Sequence, residues 1–320
     1  MTRWASLLAA GLFSLSAAAH AEDFPSRTVR IIVPYPAGGA TDITARAVAQ
    51  ELGKMWKQSV IVENRSGAIG VIGADYVAKS PPDGYTLMLS TQNEVSINQS
   101  LSTLPYDPLK AFVPITLGTS SPQVMVINPK LPINSVKEFV EYAKANPGKL
   151  SYASPGEGST QHLGGAFLAK VANIDMLHVP YRGTQPAMTD VIAGHVSAMF
   201  GAIGPYLPHI KAGSLRALAV TADKRAETLP DVPTMTEAGI PNFVMINWFG
   251  VYAPAGTPDD IVRILNRDFV KALHSEEVKE SMRQQALDIG GNSQADFQKF
   301  WVEQIAGFKT VIDAIGLTKK

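Results

Sequence analysis

The stretch PYPAGGATD, residues 34–42, follows a β-branched run at 29–33 (VRIIV) and leads into helically spaced residues at 43–56. A strand that ends in two glycines and turns into a helix is the repeating unit of an α/β layer. Glycine at such a corner admits positive φ and lets a ligand approach the backbone closely. A second corner of the same design, SPGEGST at 154–160, follows the run LSYAS at 150–154. What approaches these corners is the question that decides function.

Working outward, short β-branched runs alternate with helical patterns. The expected strands are 29–35, 59–63, 85–90, 124–128, 150–154, 178–181, 196–200, 215–221 and 249–253. Ser135 and Glu138 form a capping box that opens a helix carrying Val136, Phe139, Val140 and Ala143 on one face. Thr257 and Pro258 are expected to cap and start another, with Ile261, Leu265, Phe269 and Leu273 at helical spacing. Two extended stretches, 116–128 and 244–254, read as crossings between lobes. The fold class is therefore α/β, with two domains of largely parallel sheet joined by crossover strands. The first lobe is expected to comprise residues 22–121 and 249–320, and the second 122–248. The aromatic C-terminal helices, with Phe297, Phe300, Trp301 and Phe308, are expected to pack back on the first lobe, and the cleft between lobes is the natural ligand site.

The first 21 residues read as a secretory signal: Arg3 at the start, an apolar core, and Ala19-His20-Ala21 as the cleavage site. The apolar core is shorter than the roughly 20 residues of a membrane span. Export to a periplasm with cleavage after Ala21 is expected, and without cysteine there is no lipid anchor. Beyond the signal, 27 basic side chains face 28 acidic ones, a balance that offers no electrostatic footprint for nucleic acid. The absence of cysteine also excludes disulfides, thiolate metal sites and cysteine nucleophiles.

Familiar chemistries fail one by one. No phosphate-binding G-x-x-x-x-G-K-[ST] string occurs, and GEGSTQ at 156–161 has Gln161 where a dinucleotide fingerprint needs its third glycine. Ser159 lacks the glycine two residues before it that a nucleophile elbow requires. His162 follows it closely in sequence, yet no carboxylate is placed to orient that ring. His162, His178, His195, His209 and His274 never pair at metal-binding spacing, so neither a metal nor a cofactor is expected.

What remains is an anion held by main chain. Thr41 or Asp42 is placed to cap the first helix, and Ser159 or Thr160 the second. Unpaired first-turn N–H groups and the positive end of the helix dipole favour a carboxylate. The expected ligand-binding residues are Tyr35, Ala37, Gly38, Gly39, Ala40, Thr41 and Asp42 on one side. Ser154, Gly156, Glu157, Gly158, Ser159 and Thr160 form the other.

The chain resembles the Bug proteins, the extracytoplasmic solute receptors of tripartite tricarboxylate transporters. The likeness rests on VPYPAGG at 33–39 with Thr41, Asp42 and Arg46, and on VENR at 62–65 with Gly67 and Gly70. It continues through PDGYT at 82–86, SPGEGS at 154–159 with His162 and Leu163, and VPYRG at 179–183. LAV at 218–220, LPDVPT at 229–234, EAG at 237–239 and PAGTP at 254–258 complete it. The resemblance implies a two-lobed periplasmic binding protein that closes on a small organic acid, one carboxylate being held by both corners, partly through ordered water. It implies membrane transporter subunits as partners and makes catalysis an unexpected function.

Specificity is expected from the remaining cleft wall: Tyr35, residues 91–93, Arg182, Phe200 and Trp248. Many similar proteins carry aspartate after the residue matching Phe200, where this chain has Gly201. A roomier pocket is expected there, with no anion to pair an amino group, which favours a dicarboxylate or aromatic acid over an amino acid. Two other functions share these features. A periplasmic serine hydrolase would use Ser159 and His162, and a ligand-loaded co-sensor would use the same closed receptor for signalling.

Overall fold

The computed structural model describes residues 24–317, so the signal read at 1–21 lies outside the described residues. Period-two alternation sets the faces of the first sheet. In β1 (Val29–Val33), Val29, Ile31 and Val33 enter one core and Ile32 the opposite one. The corner at 34–39 leads into α1 (Ala40–Trp56), and β2 (Val60–Asn64) returns parallel to β1. After a short 3-10 turn come α2 (Val71–Ala78) and β3 (Thr86–Thr91), also parallel to β1. A π-helical turn (Asn93–Ile97), α3 (Asn98–Leu101) and α4 (Pro108–Ala111) then lead to β4 (Phe112–Ile127).

β4 is the strand that both sheets share. Residues 112–122 pair antiparallel with β9 (Ile246–Pro254), which in turn pairs with β3. From Gln123 onward the partners change to β7 (Ala198–Ala202) and β8 (Arg216–Val220). The second sheet is completed by β5 (Leu150–Ser154) and β6 (Met176–Pro180), parallel to each other, with β5 parallel to β7. The order is β2-β1-β3-β9-β4-β7-β5-β6. The chain returns at 245–246: the Met245 N–H donates to Thr221 O, and the Thr221 hydroxyl donates back to Met245 O.

Helices cover both faces, as sheets with parallel strands require. α5 (Val136–Ala145) begins at the expected Ser135 cap, whose Oγ accepts the Glu138 N–H at 3.1 Å. α6 (Thr160–Ala172), α7 (Thr184–Ala193) and α8 (Ile203–Lys211) pack on the second sheet. α9 (Asp259–Leu273) and α10 (Glu276–Gln284) pack on the first, and a two-residue β10 (Asp288–Ile289) adds to β4. Thr257 does not cap α9; its hydroxyl donates to Pro254 O at 2.8 Å and Pro258 occupies the cap position.

The last helix, α11 (Gln294–Ala314), departs from expectation. Phe297 and Trp301 are buried with Ile32, Met88, Trp248 and Tyr252 against the first sheet, with Phe300 packed alongside. Phe308 and Ile312 are instead buried with Phe139, Leu163 and Phe200 against the second. Two turns of spacing carry the same apolar stripe from one core to the other, which sequence periodicity alone does not reveal. Trp301→Ala and Phe308→Ala are each expected to remove about 3–5 kcal/mol of stability, the usual loss for a buried aromatic. Urea unfolding checks this, and a loss below about 1 kcal/mol at Phe308 would show that the second anchorage carries little.

Candidate functional site

Both corners stand at the carboxyl ends of parallel strands, where α/β sheets leave a crevice. At the first, Gly38 has φ +90°, a left-handed conformation that favours glycine. The Asp42 carboxylate, almost wholly buried, ties this corner down. It accepts the Gly38 N–H at 2.9 Å, Arg46 Nε at 2.9 Å and Asn64 Nδ2 at 2.9 Å. Asn64 Nδ2 also donates to Tyr35 O at 2.9 Å. Burial alone would raise the Asp42 carboxyl, but the bonds from Arg46, Gly38 and Asn64 outweigh it and hold the group below its ordinary range.

Neither Thr41 nor Asp42 caps α1. The cap position belongs to Gly39, and no side chain bonds to the helix end. Asp42 sits three residues into the helix and reaches back past the cap to Gly38, so its oxygens are spent on the corner itself. The first-turn N–H groups of Ala40, Thr41 and Asp42 therefore point off an uncapped helix end. Ala37, Gly38 and Gly39 are exposed there, with Ala40 half-buried.

Beneath this corner lies a polar cluster. Tyr35 Oη is 3.1 Å from Thr91 Oγ1 and accepts from Asn93 Nδ2 at 3.3 Å, and Thr91 Oγ1 donates to Glu94 Oε2 at 2.8 Å. Glu94 is fully buried on the π-helical turn, and its Oε1, together with Asn93 Oδ1 and Ser96 Oγ, has no hydrogen-bond partner. Desolvation pushes the Glu94 carboxyl up to about 8. Burial, and then the neighbouring Glu94, pushes the Tyr35 phenol up as well.

The second corner is more self-contained. Ser159 caps α6: its Oγ accepts the His162 N–H at 3.2 Å and donates to Gly156 O at 2.7 Å. The Gly158 N–H donates to His162 Nδ1 at 3.1 Å, and the Ser159 N–H to Gly156 O at 3.3 Å. Thr160 and Gln161 are left to supply first-turn amides. Ser154 Oγ accepts the Gly156 N–H at 3.2 Å, donates to Gly156 O at 3.0 Å and meets His178 Nε2 at 2.7 Å. A proton on His178 Nε2 satisfies every one of these partners. His178 stacks on His162 with ring centroids 3.9 Å apart. Desolvation, and then His178, lowers the His162 imidazole to about 4, so it stays neutral. The Ser159 hydroxyl is thus committed to helix capping, with its proton on a carbonyl, and His162 serves as an acceptor for main chain.

A residue that sequence reading passed over ties the second corner to the end of β3. Asn247, on β9 where the chain crosses, accepts at Oδ1 from Thr160 Oγ1 at 3.0 Å and from Gln92 Nε2 at 3.2 Å. Gln92 Oε1 in turn accepts the Trp248 N–H at 3.0 Å. The signal was a lone amide within the apolar run VMINWFGVYAP at 244–254.

The remaining candidates are not brought together with the corners in the expected way. Phe200 is core, covered by Gly164 and stacked with Phe243 at 5.9 Å. Trp248 is fully buried against Phe297 and Phe300, its Nε1 donating to Gln304 Oε1 at 3.2 Å. Both were expected in the cleft wall because large aromatics beside a crossing suit either role; here packing takes them. Gly201 gives no extra room either. A Cβ there would lie 2.1 Å from Tyr206 Oη, so the Tyr206 side chain fills that space. Arg182 is exposed beside the second corner, where the flanking Tyr181 and Gly183 N–H groups bond to Ser154 O and Pro155 O. Among the described residues no cluster of His, Asp or Glu is arranged to hold a metal. A wide groove of about 690 Å³ between Phe24, Trp56 and Lys271 contains neither corner.

Glu94 gives the cluster a pH signature. The folded state keeps its proton up to about pH 8, whereas the unfolded chain releases it near 4.5. Folded protein binds more protons in between, so this contribution to stability is complete below 4.5 and lost as pH rises through about 8. Glu94→Gln is expected to flatten that decline, measured by thermal unfolding across the same interval; an unchanged slope would place the titration elsewhere.

Comparison with known proteins agrees with this geometry. Residues 44–317 match the model of the tripartite tricarboxylate transporter family receptor. Protein BugT of Bordetella pertussis is 39% identical over 291 residues, 89% of each chain. A solved R. palustris protein with adipate superposes with a TM-score of 0.83 at 35% identity, covering 93% of this chain and 100% of that one. MatC from Rhodopseudomonas palustris, with bound malate, gives 0.78 at 31% identity over 90% of this chain and 100% of its own. The chain belongs to the tripartite tricarboxylate transporter receptor family.

Proposed function

We propose that this protein is a periplasmic receptor that captures a small organic carboxylate between its two glycine corners and delivers it to the membrane subunits of a tripartite tricarboxylate transporter. The observation that carries the reading is the uncapped start of α1, held in place by Asp42 with its first-turn amides unspent by side chains. Hydrogen bonds to a charged acceptor contribute about 1.5–3 kcal/mol each. A carboxylate at the α1 terminus would also meet the Thr160 side of the cleft through Asn247 when the halves close. The corresponding lobe division follows the change of partners along β4 and the return at 245–246. Adipate and malate in related structures support the carboxylate class. Export is supported by the signal read in the sequence at 1–21; no described helix is long and apolar enough to cross a membrane.

The hydrolase alternative loses support from the Ser159 geometry, because the hydroxyl proton is directed at Gly156 O. Hydrolysis of simple esters by purified protein, abolished by Ser159→Ala, would restore it.

A thermal-shift screen of mono-, di- and tricarboxylates tests the reading directly, since ligand at 100 times its dissociation constant adds about 2.7 kcal/mol. Gly39→Asp sharpens it. Gly39 has extended backbone and open space at Cβ. An aspartate there would cap α1 with its own carboxylate, keeping or raising stability while weakening ligand binding at least about tenfold. Undiminished binding in that variant would remove the α1 amides from the site.

A further inference from the structure

Beside the second corner lies a cavity of about 370 Å³, a volume within the usual range for small-molecule pockets. Its walls come from both halves of the molecule: Ile69 and Val71 from the segment after β2, Leu101 from α3, Leu317 after α11, and Gly158 of the corner itself. The two neutral polar side chains in the lining are already engaged with main chain. Asn98 Nδ2 donates to Ile69 O at 3.1 Å, and Ser102 Oγ donates to Asn98 O at 3.2 Å. Among the described residues no cationic side chain lines the cavity, and the one ionisable residue of that lining, Glu157, is an acid. A second carboxylate placed here would meet another acid and no cation of the described lining.

Ile69 supplies an independent sign of function. Its backbone is left-handed, with φ 50° and ψ 48°, a conformation that β-branched residues almost never adopt. Gly67 and Gly70 on either side also have positive φ, and glycine at 69 would take the same turn without strain. The isoleucine is kept there with 50% of its surface exposed, its carbonyl fastened by Asn98. Strained residues of this kind concentrate at ligand clamps. What the strain obtains is an apolar side chain standing in the cavity wall.

We infer that this cavity receives the hydrocarbon body of the ligand, so the cargo is a monocarboxylate with an aliphatic or aryl body and not a small hydroxy-dicarboxylate. The inference rests on the carboxylate reading above, because the cavity adjoins the second of the two corners between which the acid group would be held.

The test is calorimetric titration of the purified protein with acetate, butyrate, hexanoate, benzoate, malate and hexanamide. Affinity is expected to rise about fourfold per methylene from butyrate to hexanoate, the increment for burying a CH₂. Benzoate should bind more tightly than malate, and hexanamide about tenfold more weakly than hexanoate. Ile69→Asn, which tolerates the left-handed backbone, should bring the increment per methylene towards one. A flat chain-length series with malate binding as tightly as hexanoate would overturn the apolar assignment and leave carboxylate binding standing. An increment unchanged by Ile69→Asn would also overturn it. Equal binding of hexanamide and hexanoate, or no binding by any acid, would defeat the carboxylate reading and this inference with it.

Discussion

One strand serves two sheets. β4 pairs with β9 up to Pro122 and with β7 and β8 from Gln123, so the backbone hydrogen bonds of both halves are anchored to a single continuous run. Buried main-chain groups need partners, and this continuity joins the two sheets where the partners of β4 change. It also places β9, with Asn247 near its start, between the second corner and Gln92 after β3. The rest of the molecule is arranged around that constraint: helices cover the outer faces, and the two glycine corners stand at strand ends, where the proposed site lies.

The two corners share a sequence design but not an electrostatic one. At the first, a carboxylate from within the helix reaches backward to secure the loop, and the helix end stays open. At the second, a serine closes the helix end and a neutral, stacked pair of histidines supports the loop from below. In the proposed binding mode the first corner is the stronger attractor for an anion, and the second a counter-surface. Burial of Glu94 beneath Tyr35 fits this division. An ionised carboxylate there would oppose an anion at the first corner, and desolvation removes its charge in neutral solution.

Much of this was legible in the residues. The strand LSYAS at 150–154 and the Ser135 cap were read with their observed limits, because periodicity and capping are local. The two corners were legible because glycine at a strand-to-helix turn has few other uses. Phe200 and Trp248 are packed in the cores and Gly201 opens no space, which sequence does not show because burial is a property of the assembled fold. Tyr206, five residues beyond Gly201, fills the space that Gly201 seemed to open. The caps were misassigned at the first corner because Asp42 reaches back to Gly38, held there by Arg46 one turn on in the same helix and by Asn64 from β2, and the Asn64 contact is tertiary. Asn247 was missed because a single polar residue in an apolar run shows nothing of what stands opposite it.

α11 is seated in both cores, by Phe297 and Trp301 at one end and by Phe308 and Ile312 at the other. It acts as a strut across the molecule in addition to the strands that cross at the junction. Parting the halves must either flex this rod or withdraw one pair of aromatic and aliphatic anchors into water. The amplitude of gaping is thereby bounded by the bending of a helix, and a twist about its axis is the cheaper way to admit solute.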